Sequence, residues 1–81
     1  MEYDVKKVRI LNNYKLKITF ENGKVGVFDT KPHLHKPYYR LLNNPAFFAK
    51  AQALDGTVVW SDEVDMAPEL LYEECVFIKN E

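Results

Sequence analysis

Between Tyr14 and Phe20 apolar and polar residues alternate without interruption: Tyr14, Leu16, Ile18 and Phe20 are separated by Lys15, Lys17 and Thr19. A period of two sends one set of side chains to a core and the other to water, which predicts a half-buried strand. Asn22 and Gly23 come next, and both tolerate the positive φ of a type I′ turn, so Glu21 and Lys24 are expected to flank a two-residue hairpin loop. That register sets Phe20 opposite Val25 and Ile18 opposite Val27, an apolar face that a one-residue slip would replace with lysines. Val5 to Leu11 reads as a preceding antiparallel strand, turning at Asn12 and Asn13.

After Asp29 the prolines Pro32, Pro37 and Pro45 rule out one long helix, because each removes an amide donor and restricts the residue before it. Short helical pieces are expected instead, one at Tyr39 to Leu42 and a second capped by Asn44 with Pro45 in its first turn. Ala51 to Leu54 and Thr57 to Trp60 form a second hairpin across Asp55 and Gly56, another pair suited to type I′ geometry. In VVWSDEVDMAPELLY, residues 58 to 72, Trp60 ends a strand and Asp62 or Asp65 accepts backbone N–H bonds in the turn. Pro68 and Glu69 open a helix there. The tail stays open, since Leu71, Cys75 and Ile78 have helical spacing while Val76 to Ile78 also suits a strand. The fold class these elements predict is α+β: an antiparallel β-meander of about five strands in two hairpins, with short helices packed on one face.

Size and charge narrow the reading. Eighty-one residues make a single domain, 1–81, which buries only roughly 60% of its unfolded surface. A composition of 47% hydrophobic and 28% charged residues with three glycines is that of a folded chain. The lone Cys75 excludes an internal disulfide, and no signal peptide or membrane span is evident, so a cytoplasmic location is expected. The net charge of -1 conceals an asymmetry. Val5 to Lys50 carries ten basic residues against Glu21 and Asp29, whereas Ala51 to Ile78 carries seven acids and no base. Such a division steers partners or orients self-association, and it also arises from charges that only solvate a surface.

Two stretches hold candidate chemistry. Asp62, Glu63 and Asp65 bring three acids together, but without the alternating oxygens and central glycine of a calcium loop. Capping and turn formation account for them as well. KPHLHKPYYR, residues 31 to 40, sets His33 and His35 two apart, short of the three or four ligands a zinc site needs. The same stretch interleaves Lys31, Lys36 and Arg40 with Tyr38 and Tyr39, a combination able to grip phosphates and stack bases. Cys75 lies among acids and apolar residues that would raise a thiol pKa, and Ser61 lacks a nucleophile elbow. No catalytic constellation, metal set or cofactor loop is expected, and so no enzyme.

FENGKVGVFD, then YRLLNNPAFF, then DGTVVWSDEVDMAPELLY resemble, in this order and spacing, the bacterial family called domain of unknown function 2442. The residues that carry the likeness are Phe20, Asn22, Gly23 and Asp29, then Tyr39, Leu42, Pro45 and Phe48, then Trp60, Asp65, Pro68, Leu71 and Tyr72. After Trp60 the chain departs from the pattern, with Ser61 and Glu63 where a proline and a glycine are usual. The resemblance implies a small α+β domain and a bacterial source, and brings no established activity. Some members of the family look like partners in two-gene modules of the toxin and antitoxin kind, and others are fused to a helix-turn-helix domain, which is not expected within these 81 residues. The expected function is a non-catalytic protein-interaction or regulatory module, antitoxin-like, whose partner is another small protein. Its candidate partner-binding residues are Lys31, His33, His35, Lys36, Tyr38, Arg40, Asp62, Glu63 and Asp65. The alternatives are a small nucleic-acid-binding regulatory domain using residues 31 to 40 and a metal-assisted hydrolase at the acids after Trp60. A homodimer through the tail, Val76 to Lys79, is a further expectation.

Overall fold

The computed structural model describes residues 3–80. Its class is the expected α+β, with seven strands in two antiparallel sheets among the described residues. The larger sheet orders β1 (Val5–Leu11), β2 (Lys15–Phe20), β3 (Lys24–Asp29) and β7 (Val76–Asn80) as β1-β2-β3-β7. The smaller one is the meander β4 (Gln52–Leu54), β5 (Thr57–Ser61) and β6 (Val64–Met66). Between them run two 3₁₀ turns, Lys31–His33 and Pro37–Asn43, and the helix α1 (Pro45–Phe48); α2 (Pro68–Glu74) leads into β7. The count exceeds five because Val64–Met66 forms a strand of its own, and because the tail pairs with β3.

The alternation in β2 holds from Leu16 onward. Leu16, Ile18 and Phe20 are completely buried, and Val5, Phe28, Leu42, Phe48, Val58, Trp60, Val64, Met66 and Leu71 join them in one core shared by both sheets. Tyr14 departs from the pattern. It lies in the β1–β2 loop with Asn13, at φ 60° and 61°, and acts as a tie rather than a strand residue. Its carbonyl accepts from the Thr30 amide and hydroxyl at 3.0 and 2.6 Å, and its own hydroxyl donates to the Asn43 carbonyl at 2.6 Å.

The β2–β3 turn also differs from the expected one. Thr19 stands opposite Val25 and Ile18 opposite Gly26, one residue away from the predicted register. The loop comprises Glu21, Asn22 and Gly23, and of these only Gly23 takes positive φ, 88°. Asn22 serves through its side chain, whose Oδ1 accepts from the Lys24 amide at 3.0 Å, while the Gly23 amide donates to the Phe20 carbonyl at 3.0 Å. This is the three-residue hairpin ending in a left-handed glycine. The lysines stay outside because the shift reassigns the faces of β3 and leaves those of β2 unchanged. Phe28 takes the core position, and Val25 and Val27 turn to the opposite face. At Asp55 and Gly56, φ is 52° and 81°, and Leu54 pairs with Thr57, so the second hairpin has the predicted type I′ turn.

The expected caps form in part. Asn44 Oδ1 accepts from the Ala46 and Phe47 amides at 2.9 and 3.4 Å, and Pro45 begins the helix. In the turn after Trp60 the acceptor is Ser61 Oγ, which takes the Glu63 amide at 3.2 Å, rather than Asp62 or Asp65. Trp60 closes the layer by donating its Nε1–H to the Phe48 carbonyl at 2.9 Å.

Gly26 sets how closely β7 and the end of α2 approach β3. A Cβ there would meet Cys75 Sγ at 2.5 Å and the Val76 carbonyl at 3.3 Å. Gly26→Ala is therefore expected to cost about 1–3 kcal/mol through overpacking. Urea denaturation should show most of that loss relieved in a Cys75→Ala background, and an equal cost in both backgrounds would place the clash elsewhere.

Candidate functional site

A three-residue period sorts the side chains of Pro37–Asn43, because positions i and i+3 of a 3₁₀ turn lie on one side. Tyr39 and Leu42 point to the core, Leu42 fully buried and Tyr39 half-buried. Tyr38 and Leu41 point away from it, 51% and 55% exposed. The third side carries Arg40, which is exposed, and Asn43, whose Nδ2 donates to the carbonyls of Leu34 and Arg40 at 3.0 and 3.1 Å and locks the turn.

The Tyr38 hydroxyl bridges the two candidate stretches. It donates to Asp65 Oδ1 at 2.8 Å and accepts from the Asp65 amide at 3.3 Å, so β6 and the basic loop share one surface. The carboxylate bond raises the Tyr38 pKa. Tyr39 is raised by burial and by the neighbouring phenol and carboxylate, and its ring meets that of Tyr38 edge-on at 4.8 Å. Asp62 and Glu63 are exposed at the β5–β6 turn.

His33 belongs to the interior of the candidate stretch, not to its surface. It is 5% exposed and stacked on Phe28 with ring centroids 5.7 Å apart. Lys36 Nζ lies 3.0 Å from Nδ1 and Glu74 Oε1 lies 2.8 Å from Nε2. An ammonium has no acceptor, so Nδ1 accepts and the proton resides on Nε2, donated to Glu74. His33 thus fastens the loop to the end of α2. His35 is exposed, and the two histidines do not form a ligand pair. Among the described residues no three of His, Cys, Asp and Glu converge as a metal site.

Lys31 also has structural work. Its Nζ contacts Asp29 Oδ1 at 3.0 Å and donates to the Asn13 carbonyl at 2.7 Å. Burial pushes the Asp29 carboxyl up, but the Lys31 amide and ammonium outweigh it and hold the group below the usual carboxylate range. Cys75 is buried, and that burial raises its thiol pKa, as its neighbours in sequence indicated. Sequence reasoning missed Leu41 and Glu74. The signal for Leu41 is visible only once the turn is known to repeat every three residues, and nothing local links Glu74 to His33.

These features define a small α+β domain with a solvent-facing ridge of aromatic, aliphatic and charged side chains. The chain belongs to the family described as protein of unknown function (DUF2442), whose model matches residues 5–77. No curated protein and no solved structure matches it. No helix among the described residues is long and apolar enough to cross a membrane.

The Tyr38–Asp65 bond gives a pH signature. A tyrosine whose folded pKa is raised contributes stability that is complete below its ordinary pKa of about 10 and is lost as pH rises through the raised value. Alkaline absorbance titration of wild type against Tyr38→Phe should reveal a phenol ionising above about 10, and Asp65→Asn should move it back down. An unmoved titration in Asp65→Asn would exclude the carboxylate as the cause.

Proposed function

We propose that the domain is a non-catalytic protein-interaction module, the neutralising or regulatory partner in a small bacterial two-gene pair. The observation that carries this reading is the ridge of Tyr38 and Leu41. A buried-sided 3₁₀ turn, pinned by Leu42, Asn43 and the Tyr38–Asp65 bond, presents an aromatic and an aliphatic side chain in a fixed geometry. Rigid aromatic anchors with arginine nearby are the composition of interface hot spots. Lys36 and Arg40, with Asp62 and Glu63 across the β5–β6 turn, supply charges of both signs for steering and register.

Affinity capture with the tagged domain from its own host lysate, read by mass spectrometry, tests the proposal. One small protein is expected with or without nuclease, and its recovery should fall at least about tenfold with Leu41→Asp, a surface change that by itself moves stability by only about 0.5 kcal/mol. Recovery that disappears on nuclease treatment would replace this reading with the nucleic-acid one, in which Lys36, Tyr38 and Arg40 contact phosphates and bases.

Self-association is the second partner reading, favoured by the open edge of the larger sheet. β7 is the last strand in the order β1-β2-β3-β7, and Val76 and Ile78 are 70% and 52% exposed along it. Edge-to-edge pairing of β7 with its counterpart would give an isologous dimer. Sedimentation should show a concentration-dependent dimer that Ile78→Lys abolishes, and a monomer at high concentration would refute it.

A further inference from the structure

The outer face of the larger sheet carries one like-charge pair, Arg9 and Lys17, that folding does not require. Lys7 on β1 pairs with Thr19 on β2, Arg9 pairs with Lys17, and Lys15 follows on the same side, where Asp29 on β3 stands opposite it. Arg9 and Lys17 are like charges directly opposite one another, an arrangement that destabilises a sheet. Neither has an acidic partner among the described residues. Thr19 is nearly fully buried and forms the floor of a groove of about 260 Å³ walled by Lys7, Arg9 and Lys17. Departures from local rules that bring no structural gain concentrate where a surface does something else.

The other half of this face is aliphatic. Through the register of the β2–β3 hairpin Val25 and Val27 lie beside Thr19 and Lys17; Val25 is fully buried, whereas Val27 is partly exposed and pairs in turn with Val76 on β7, which is 70% exposed. Away from Asp29, which answers Lys15 at one end, the accessible face therefore passes from Arg9 and Lys17 on β1 and β2 to Val27 and Val76 on β3 and β7, over roughly 15 Å at the usual strand spacing. We propose that it docks an acidic, amphipathic segment of a partner protein, with carboxylates over Arg9 and Lys17 and aliphatic side chains over Val27 and Val76. A polyphosphate satisfies only the first half. Single-stranded nucleic acid is held by rings on which bases stack, whereas this face offers lysine, arginine, threonine and valine. Edge pairing of β7 leaves the face open, so the two contacts are compatible.

This inference rests on the interaction-module reading and names a second surface and the partner's chemistry. Panning a random-peptide display library against the full chain tests it before any partner is identified. Enriched peptides should combine Asp or Glu with Val, Ile or Leu, and a synthetic peptide from that set should bind Arg9→Glu at least about tenfold more weakly by fluorescence anisotropy. Arg9→Glu also converts the like-charge pair into opposite charges, so its melting temperature should be unchanged or higher than wild type. Arg9→Gln with Lys17→Gln, which adds no charge, should weaken the peptide in the same direction. Peptides without acids, no enrichment, or acidic peptides that bind Arg9→Glu as well as wild type would overturn the proposal. So would an oligothymidylate that binds through Arg9 in place of any peptide. A lysate partner still captured by Arg9→Glu but lost with Leu41→Asp would leave the interaction module standing and remove only this face.

Discussion

Everything in this domain is arranged around the two-residue period of β2. With strands on both sides and Leu16, Ile18 and Phe20 wholly buried, β2 gives one face to the core and turns the other away from it. A chain of this size has few apolar residues to spare, so the second sheet, α1 and α2 all converge on that one face. The same constraint puts Lys15, Lys17 and Thr19 on the side away from the core, the lysines partly exposed and Thr19 covered between them and their neighbours. The open basic face is therefore the reverse side of the core, and the identity of the residues on it is free to answer to a partner instead of to folding.

The segment from Thr30 to Lys50 shows how a stretch without strands is nonetheless given one conformation. Tyr14 holds its beginning and end through Thr30 and Asn43, and His33 holds its middle. Burying an imidazole is costly unless both nitrogens are satisfied, and here Lys36 and Glu74 satisfy them. The contact also offsets a weakness of α2. That helix begins well, with Pro68 and Glu69, but ends in Glu73 and Glu74 with no base in its last turn, where negative charge opposes the helix dipole. The N–H of His33 supplies the donor that the helix's own sequence lacks.

How far the fold was legible depended on whether a feature was local. Asp55-Gly56 and Asn22-Gly23 are nearly equivalent dipeptides, yet the first makes a two-residue turn and the second a three-residue one. The difference lies in Asn22 Oδ1, which bonds the Lys24 amide and closes the loop through a side chain. Apolar patterning does not encode that choice, and the register of β3 follows from it. Val64–Met66 alternates as a strand should, but the surrounding acids drew attention to turn and capping roles. The candidate surface was half visible. Tyr38, Arg40 and Asp65 could be picked out by residue type, whereas the bond joining Tyr38 to Asp65 spans 27 positions and the burial of His33 depends on Phe28.

The two outward surfaces differ in what fixes them. Tyr38 and Leu41 stand on a 3₁₀ turn held by side-chain hydrogen bonds to Leu34, Arg40 and Asp65, so their geometry is set by contacts near the surface. Arg9 and Lys17 stand on strands whose other faces are the core, so their positions are as rigid as the sheet itself. A mixed-charge ridge on a pinned turn suits selective contact through a few anchors, because its aromatic and aliphatic groups contribute most when water is excluded around them. Cations facing one another across a rigid sheet suit long-range attraction, because they present a fixed field without needing to rearrange. Under the proposed reading, a partner with acidic and apolar segments would be attracted by the sheet face and selected at the ridge, with the core unchanged at both.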